Sequence, residues 1–220
     1  MKEKGNKIYS MQVSKIIEED FKEYDKEKLI KLFREYFKDK RSIDFVKYYN
    51  KTVLDKEKIN FGMFSNKWAL HLRKSHIDYL DKNYKLLKKE ILNKKNIYLF
   101  YKKFGIDKSG RRNKSFCCKL FHTFLPNEFI PLDNPIRNHF KLKNFNSDHH
   151  LWCEKIIRNG YLIFISKNKE KIKLIKEVLS DKESEFFRIK ELSDIRLMDM
   201  IYWFILNRRK EKIIKMKRKC

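Results

Sequence analysis

Residues 105–140, GIDKSGRRNKSFCCKLFHTFLPNEFIPLDNPIRNHF, decide how the rest of the chain is interpreted. A basic loop around Gly110 leads into FCCKLFHTFL, an apolar segment of helical length that ends at Pro126. All three prolines of the chain then fall within ten residues, which predicts an ordered loop with fixed φ angles rather than a helix. A further helix is predicted directly after this loop, with Asn134 as N-cap and Pro135 at the first helical position.

Apolar residues recur at helical spacing on both sides of this unit. Two helices are predicted between Met11 and Phe37, the second capped by Asp25. A short helix is predicted from Ser42 through Tyr49, and a single longer one from Ser65 over SNKWALHLRKSHIDYLDKN. The segment 161–166, YLIFIS, is ambiguous between a strand and a buried helical turn. The remaining helices are predicted over 84–92, 95–103, 148–159, 168–180 and 191–207.

The composition independently favours a helical protein with a real core. The chain has 220 residues, of which 42% are hydrophobic and 15% aromatic, and these proportions exclude a disordered basic tail. Only 5 Gly and 3 Pro are present, too few for the turns of a many-stranded sandwich or barrel. We therefore expect an all-α fold with an N-terminal helical lobe (1–104), the central unit (105–140) and C-terminal helices (141–220) that pack on the first lobe.

The charge predicts a polyanionic partner. The 54 Lys and Arg outnumber the 29 Asp and Glu, which gives a formal net charge of +25. An AT-rich coding sequence also enriches lysine, but it does not readily explain the sign imbalance, whereas nucleic acid would relieve the self-repulsion. The basic residues are spread along the chain rather than confined to one amphipathic helix, so a membrane surface is disfavoured. We therefore expect nucleic acid as the partner and no membrane.

The segment KSFCCKLFHTFLPNEFIPLDNPIRNHF resembles the core of the helix-hairpin-helix DNA glycosylase superfamily, in particular its 8-oxoguanine DNA glycosylase-like branch. The resemblance covers about 36 of the 220 residues. It implies a two-lobed helical glycosylase-like fold with a helix-hairpin-helix element. It also implies an enzyme that binds double-stranded DNA, flips a damaged or modified base out of it and excises that base. We expect this enzyme to be a cytoplasmic monomer.

The resemblance assigns Asp133 to the catalytic aspartate of the family, because both precede a helix in a proline-bearing loop. Lys114 lies 19 residues before Asp133, a separation like that of the Schiff-base lysine in bifunctional members, whereas Lys119 lies only 14 before it. Lys114 is therefore the preferred counterpart, with AP-lyase activity if it acts as a nucleophile. The basic loop departs from the family pattern. Members of the family usually have two glycines that flank one apolar residue, whereas this loop has only Gly110.

Physical chemistry supports the role of Asp133 without the family. Breaking an N-glycosidic bond builds oxocarbenium character on the sugar, which an ionised carboxylate stabilises. The competing interpretation is that Asp133 only starts the helix. A lysine on an apolar helix is a candidate nucleophile because desolvation favours its neutral form. Without such a lysine, Asp133 would activate water and the enzyme would be monofunctional.

The remaining candidate residues are assigned by chemistry to DNA and to the base. Backbone N–H groups and basic or polar side chains hold phosphates, and aromatic side chains stack an extruded base. The predicted DNA-binding residues are Lys108, Ser109, Gly110, Arg111, Arg112, Asn113, Lys119 and Arg137. The predicted base-pocket residues are Trp68, Phe64 and Trp152, whereas Trp203 is interpreted as core. No cysteine or histidine spacing matches a zinc or iron–sulfur site, so we expect neither metal nor cofactor.

The function predicted from the sequence is thus a DNA N-glycosylase, acting in repair or in defence against phage DNA with modified bases. The alternative is a non-enzymatic DNA- or RNA-binding protein that retains the basic hairpin without the chemistry.

Overall fold

The computed structural model describes residues 2–23, 26–36, 40–106, 110, 112–142, 149–182 and 188–217. Within these ranges the chain is helical almost throughout, so the predicted all-α fold class is confirmed. The α-helices are α1 (Lys2–Glu23), α2 (Lys26–Tyr36), α3 (Lys40–Tyr49), α4 (Phe61–Lys67), α5 (Lys74–Lys82), α6 (Tyr84–Lys94), α7 (Ile97–Phe104), α8 (Lys114–Phe124), α9 (Asn134–His139), α10 (His149–Lys167), α11 (Lys169–Lys182) and α12 (Asp194–Lys217). A π-helical turn (Asn50–Leu54) follows α3, and a 3₁₀ turn (Ile189–Glu191) precedes α12.

Helix α8 occupies the centre of the core, because its residues from Phe116 to Thr123 are all buried. It contacts α6, α7 and the π-helical turn as well as α10. Helix α10 in turn packs along α1, and α12 packs against α2, α9 and α10. The C-terminal helices therefore lie on the first helices of the chain, and α8 links them to α4–α7.

Close packing between α1 and α10 depends on a glycine. A Cβ atom built on Gly160 would lie 2.3 Å from Cγ1 of Val13, a distance that real Cβ atoms do not adopt. Val13 and Ile17 of α1 are fully buried at this crossing. The absence of a side chain at Gly160 thus lets the two backbones approach each other.

Two predicted helix starts are wrong. Ser42 lies inside α3 rather than at its N-cap, and Ser65 lies inside α4, which begins after Asn60. The Asn60 side chain accepts a hydrogen bond from the backbone N–H of Met63 at 2.8 Å, as an N-cap does. Ser65 Oγ instead accepts from the N–H of Leu72 at 2.9 Å and so closes the turn after α4.

That turn also divides the single long helix predicted from Ser65. Ala69 and His71 have φ angles of 49° and 51°, which a right-handed helix does not contain. The ambiguous segment 161–166 is helical and belongs to α10. Asp25, predicted to cap the second helix, lies outside the described residues.

Candidate active site

The loop between α8 and α9 is fixed by side chains from three helices or turns. Ser193 Oγ donates to the Pro126 carbonyl at 2.9 Å, and His122 Nδ1 donates to the Phe129 carbonyl at 2.8 Å. The backbone N–H of Ile130 donates to Oε1 of the buried Glu154 at 3.2 Å. The extended backbone that ends at Asp133 is therefore held on both its carbonyl and its amide groups, as the proline content predicts for an ordered loop.

Asp133 stands at the N-cap of α9 but does not use its side chain as a cap. Its backbone is extended, with φ −108° and ψ 156°, and only its carbonyl oxygen accepts from Arg137 N, at 3.0 Å. The helix begins at Asn134, one residue earlier than predicted, so Asn134 is not the cap. The carboxylate is thus not required to satisfy the helix and is directed to another partner.

That partner is Lys119, whose Nζ lies 2.7 Å from Asp133 Oδ1. Only 6% of the Lys119 side chain is exposed, against 28% for Asp133. Nζ also donates to the Trp68 carbonyl at 2.9 Å and lies 5.6 Å from the centroid of the Trp68 ring. A buried cation is costly unless it is paired and hydrogen-bonded, and both conditions are met here.

The ion pair lines a cavity of about 420 Å³. Its walls come from α3, the turn after α4, α8, the proline loop and α12, and they are aromatic and aliphatic apart from a few charged groups. The lining residues are Ser42, Phe45, Val46, Lys67, Trp68, Ala69, Lys119, Pro131, Asp133, Arg196, Asp199, Met200, Trp203 and Phe204. A mostly apolar cavity with a few convergent charged groups is the usual form of a small-ligand site.

A second ion pair, between Arg196 and Asp199 on α12, lines the same cavity. Both side chains are more than nine-tenths buried. Burial raises the pKa of Asp199 to about 6, while the charge of Arg196 opposes this shift. The Arg196 guanidinium also lies 5.0 Å from the centroid of the Tyr49 ring.

Behind the cavity, Tyr49 connects this pair to the proline loop. Tyr49 Oη lies 2.8 Å from His122 Nε2, and the opposite ring nitrogen donates to the Phe129 carbonyl. Since Nδ1 carries the proton, Nε2 accepts the hydrogen bond from Tyr49. Burial lowers the pKa of His122 to about 3, so the imidazole is neutral at physiological pH.

The structure brings Lys119 to Asp133, and the preferred assignment of Lys114 as the catalytic lysine stays a prediction. Lys114 does not line the cavity, and its Nζ lies 5.6 Å from the centroid of the Tyr101 ring. Lys119, predicted to bind DNA, is buried. Lys114 and Lys119 are five residues apart on α8, so their side chains leave the helix in directions that differ by about 140°.

The basic loop between α7 and α8 is closed by an antiparallel bridge between Ile106 and Arg112. Gly110 is exposed at its tip with a φ of 78°, which favours glycine. Arg112 is also exposed, whereas Lys108, Ser109 and Arg111 lie outside the described residues. A helix-hairpin-helix element remains a prediction for this loop.

Asn113 is buried and uses its backbone N–H and its side-chain amide within the fold. Its backbone N–H donates to the Gly105 carbonyl at 2.7 Å, and its side-chain amide lies 3.2 Å from His76 Nδ1. His76 Nε2 donates to the Phe104 carbonyl at 2.9 Å, so Nδ1 is the acceptor. Asn113 thus anchors the loop to α5 and α7.

Arg137 lies half-buried on α9, next to the start of α10. Burial lowers the pKa of His149, and it lowers the pKa of His150 to about 4. The positive charge of Arg137 is the second cause in both cases and acts in the same direction. Arg137 thus adds to the positive potential on this side of α9.

Among the predicted base-pocket aromatics, only Trp68 lines the cavity. Phe64 is fully buried behind it, with ring centroids 6.1 Å apart. Trp152 belongs to another cluster, where Nε1 donates to Asn6 Oδ1 at 2.9 Å and the ring packs against Tyr9. Phe64 and Trp152 therefore do not line this cavity.

Sequence reasoning missed the contribution of α12. Trp203 was expected in the core but lines the cavity, as do Arg196 and Asp199. The signal in the sequence is the placement of two opposite charges three residues apart within an otherwise apolar helix, IRLMDMIYWFIL. Such charges are rarely buried unless they pair with each other.

None of the helices in the described ranges combines the length and apolar character needed to cross a membrane. Comparisons with models of protein families, with curated proteins and with solved structures found no match to this chain.

Proposed function

We propose that this protein is a DNA glycosylase that excises a damaged or modified base, with Asp133 and Lys119 as its catalytic pair. The observation that carries the proposal is the Asp133 carboxylate, which does not cap α9 and instead meets a buried lysine at 2.7 Å on the wall of a cavity. If Asp133 only started the helix, its carboxylate would not require an ion pair with Lys119.

The size and lining of the cavity support an extruded base as the ligand. A volume of about 420 Å³ lies within the range of small-ligand pockets. Trp68 and Trp203 supply aromatic surface on which a planar base can stack, and Phe45 packs edge-on against Trp68 with ring centroids 4.9 Å apart. Enzymes that act on a base within a duplex take it out of the stack into such a pocket.

Asp133 is the group that stabilises charge at the sugar. As the bond between C1′ and the base nitrogen breaks, positive charge develops on C1′ and the ring oxygen. A carboxylate fixed by the proline loop stabilises that charge without reorganisation during the reaction. The hydrogen bonds of Phe129 and Ile130 to His122 and Glu154 hold the loop in place.

Lys119 is the nucleophile in this mechanism. Asp133 first takes a proton from the Lys119 ammonium, to which it is paired. The neutral amine then forms a bond to C1′ as the bond from C1′ to the base breaks; the bonding electron pair leaves with the base, and the base takes the proton from Asp133, which is ionised again. Asp133 next transfers a second proton from the lysine nitrogen to the ring oxygen O4′ as the C1′–O4′ bond breaks, and the protonated imine with the opened sugar permits subsequent strand cleavage, as in bifunctional glycosylases.

Double-stranded DNA is the proposed partner because of the net charge of +25. The exposed Arg112 at the basic loop and the half-buried Arg137 on α9 are the described candidates for phosphate contacts. The biological role is repair, or defence against phage DNA that carries modified bases.

The proposal is tested by incubating the protein with duplexes that carry different oxidised, deaminated or hypermodified bases and measuring free base and abasic sites. We expect release from at least one substrate, and borohydride should trap a covalent complex with that DNA. Lys119→Gln should abolish trapping, whereas the matched variant Lys114→Gln should retain it. DNA binding without release from any substrate would instead support a non-enzymatic binding protein.

A further inference from the structure

The guanidinium of Arg137 has no partner among the described residues. Arg137 is half-buried on α9, and its side chain forms neither a hydrogen bond nor an ion pair within the ranges that the structure describes. Its backbone N–H alone is used, in the bond to the Asp133 carbonyl. A guanidinium carries five N–H donors, and an arginine that has lost part of its hydration is normally paired with a carboxylate or a phosphate. Arg137 is therefore available to an external anion.

A second basic side chain, His149, lies beside Arg137 at the start of α10. Helices α9 and α10 are in contact, and the charge of Arg137 is the second cause, after burial, of the lowered pKa of His149. The charge of Lys114, at the start of α8, acts on His149 in the same direction. The His149 side chain is only partly buried, so solvent and ligands can reach it.

The other groups that face His149 supply no negative charge. The Leu142 backbone forms a hydrogen bond with the imidazole that acts to raise its pKa, and Cys153 Sγ lies 3.5 Å from Nε2. Burial raises the pKa of Cys153 to about 12, so this thiol is neutral at physiological pH. The Trp152 ring stacks on the imidazole with ring centroids 6.0 Å apart. Positive charge thus gathers here from α8, α9 and α10, and no carboxylate in the described part of the chain offsets it at His149.

The position of Arg137 along α9 relates these basic groups to the candidate active site. Arg137 follows Asp133 by four residues, or about 6 Å along the helix axis. Asp133 lines the cavity, whereas Arg137 and His149 do not. Phosphates flank every sugar of a DNA strand, so a strand that presents one sugar to Asp133 brings a phosphate within reach of α9. The two basic residues are therefore placed for the DNA backbone and not for the base.

We propose that Arg137 and His149 bind a backbone phosphate of DNA beside the extruded nucleotide, with Arg137 as the permanent cation and His149 as a cation that forms on binding. The phosphate replaces the repulsion between the basic groups with attraction, so the imidazole takes up a proton when DNA binds. Because the complex then holds a proton that the free protein does not, DNA affinity rises as the pH falls. This inference rests on the proposed glycosylase function, since an extruded nucleotide is what brings a phosphate beside α9.

The test measures equilibrium binding to a duplex with one tetrahydrofuran site, an abasic analogue that has no base to release, and to the undamaged duplex of the same sequence. Arg137→Gln should weaken binding to the tetrahydrofuran duplex about tenfold and reduce the slope of log affinity against log salt by about 1. Arg137→Lys keeps the charge and should keep the native slope. Lys173→Gln, at an exposed lysine on α11, is the control and should change neither quantity. A native slope in Arg137→Gln, or an equal loss of affinity for the undamaged duplex, would overturn the proposed site.

The pH dependence of binding examines His149 separately. The affinity of the native protein for the tetrahydrofuran duplex should rise about fivefold or more from pH 8 to pH 6, and most of this rise should be absent in His149→Gln. Thermal unfolding of every variant checks that it folds. The same rise in His149→Gln as in the native protein would overturn the role of His149, and so would a native affinity that is equal at the two pH values.

The outcomes separate this inference from the function on which it rests. Base release from duplex DNA together with a native salt slope in Arg137→Gln refutes the phosphate site and leaves the glycosylase proposal standing. A reduced slope, with a loss of affinity that is larger for the tetrahydrofuran duplex, supports the phosphate site even if no duplex yet tried releases its base. Because the comparison of pH 8 with pH 6 uses the native protein, it remains decisive if a variant does not fold.

Discussion

The neutral, buried His122 makes the stability of the protein depend on pH in a predictable direction. Burial and, after it, the positive charge of Arg196 lower the pKa of His122 from 6.5 to about 3, although the hydrogen bond to the Phe129 carbonyl acts in the opposite direction. The unfolded chain therefore binds a proton between pH 6.5 and pH 3 that the folded chain does not. The free energy of unfolding consequently falls as the pH is lowered through this window.

The magnitude follows from the two pKa values. At pH 5, protonation of His122 in the unfolded chain alone costs about 2 kcal/mol of stability relative to pH 7. His150, whose pKa burial lowers to about 4, adds a loss of about 2 kcal/mol. Asp199 acts in the opposite direction. Because its pKa in the folded chain is raised to about 6, the folded chain binds a proton between pH 7 and pH 5 that the unfolded chain does not, and this restores about 1 kcal/mol of stability. These three groups together should thus lower the free energy of unfolding by about 2 to 3 kcal/mol between pH 7 and pH 5.

The assay is equilibrium urea unfolding of the native protein and of His122→Gln at both pH values. The variant cannot titrate at this position, so its loss of stability between pH 7 and pH 5 should be smaller by about 2 kcal/mol. Asn138→Gln, at an exposed position that carries no titratable group, is the control and should show the native pH dependence. If His122→Gln and the native protein lose the same free energy, His122 is not held neutral in the fold and the network from Tyr49 to the proline loop is wrong.

Two further predictions concern DNA binding and helix packing. Replacing Arg111 and Arg112 with Ala should reduce the slope of log affinity against log salt by up to about 2. The control Lys173→Ala, at an exposed lysine, should leave the slope unchanged. An unchanged slope in the double variant would exclude the basic loop from the interface. Gly160→Ala should lower the free energy of unfolding by about 2 kcal/mol, because its Cβ would lie 2.3 Å from Val13. A double-mutant cycle with Val13→Ala should show that the second substitution relieves part of this loss, and strict additivity would contradict the close crossing.

The helical content was predictable because the apolar residues of this chain recur with a helical period and because its three prolines mark one loop. The division of the predicted Ser65 helix was not predictable, since its break depends on left-handed backbone at Ala69 and His71 rather than on Gly, Pro or Asn. Propensity carries little information about such a break, which is imposed by tertiary contacts such as that of Lys119 with the Trp68 carbonyl.

The candidate site was predictable only in part. Asp133 stands out because it follows a proline-bearing segment and precedes a helix. Its lysine partner depends on which face of α8 points inward, and spacing along the chain does not determine this. Asp199 and Trp203 come from a helix more than sixty residues further along the chain, so only the tertiary fold brings them to the same cavity as Asp133.

The most direct test of the account is single-turnover base release by Asp133→Asn, measured beside equilibrium DNA binding and thermal unfolding. Asn keeps the size of the side chain and an acceptor for Lys119, so stability should fall by only about 1 to 2 kcal/mol. Loss of the negative charge should slow base release by about 100-fold or more, with DNA affinity unchanged or tighter. The exposed neighbour variant Asn134→Ala should release base at the native rate. Base release by Asp133→Asn at the native rate would contradict the account and reduce Asp133 to a residue that only starts α9.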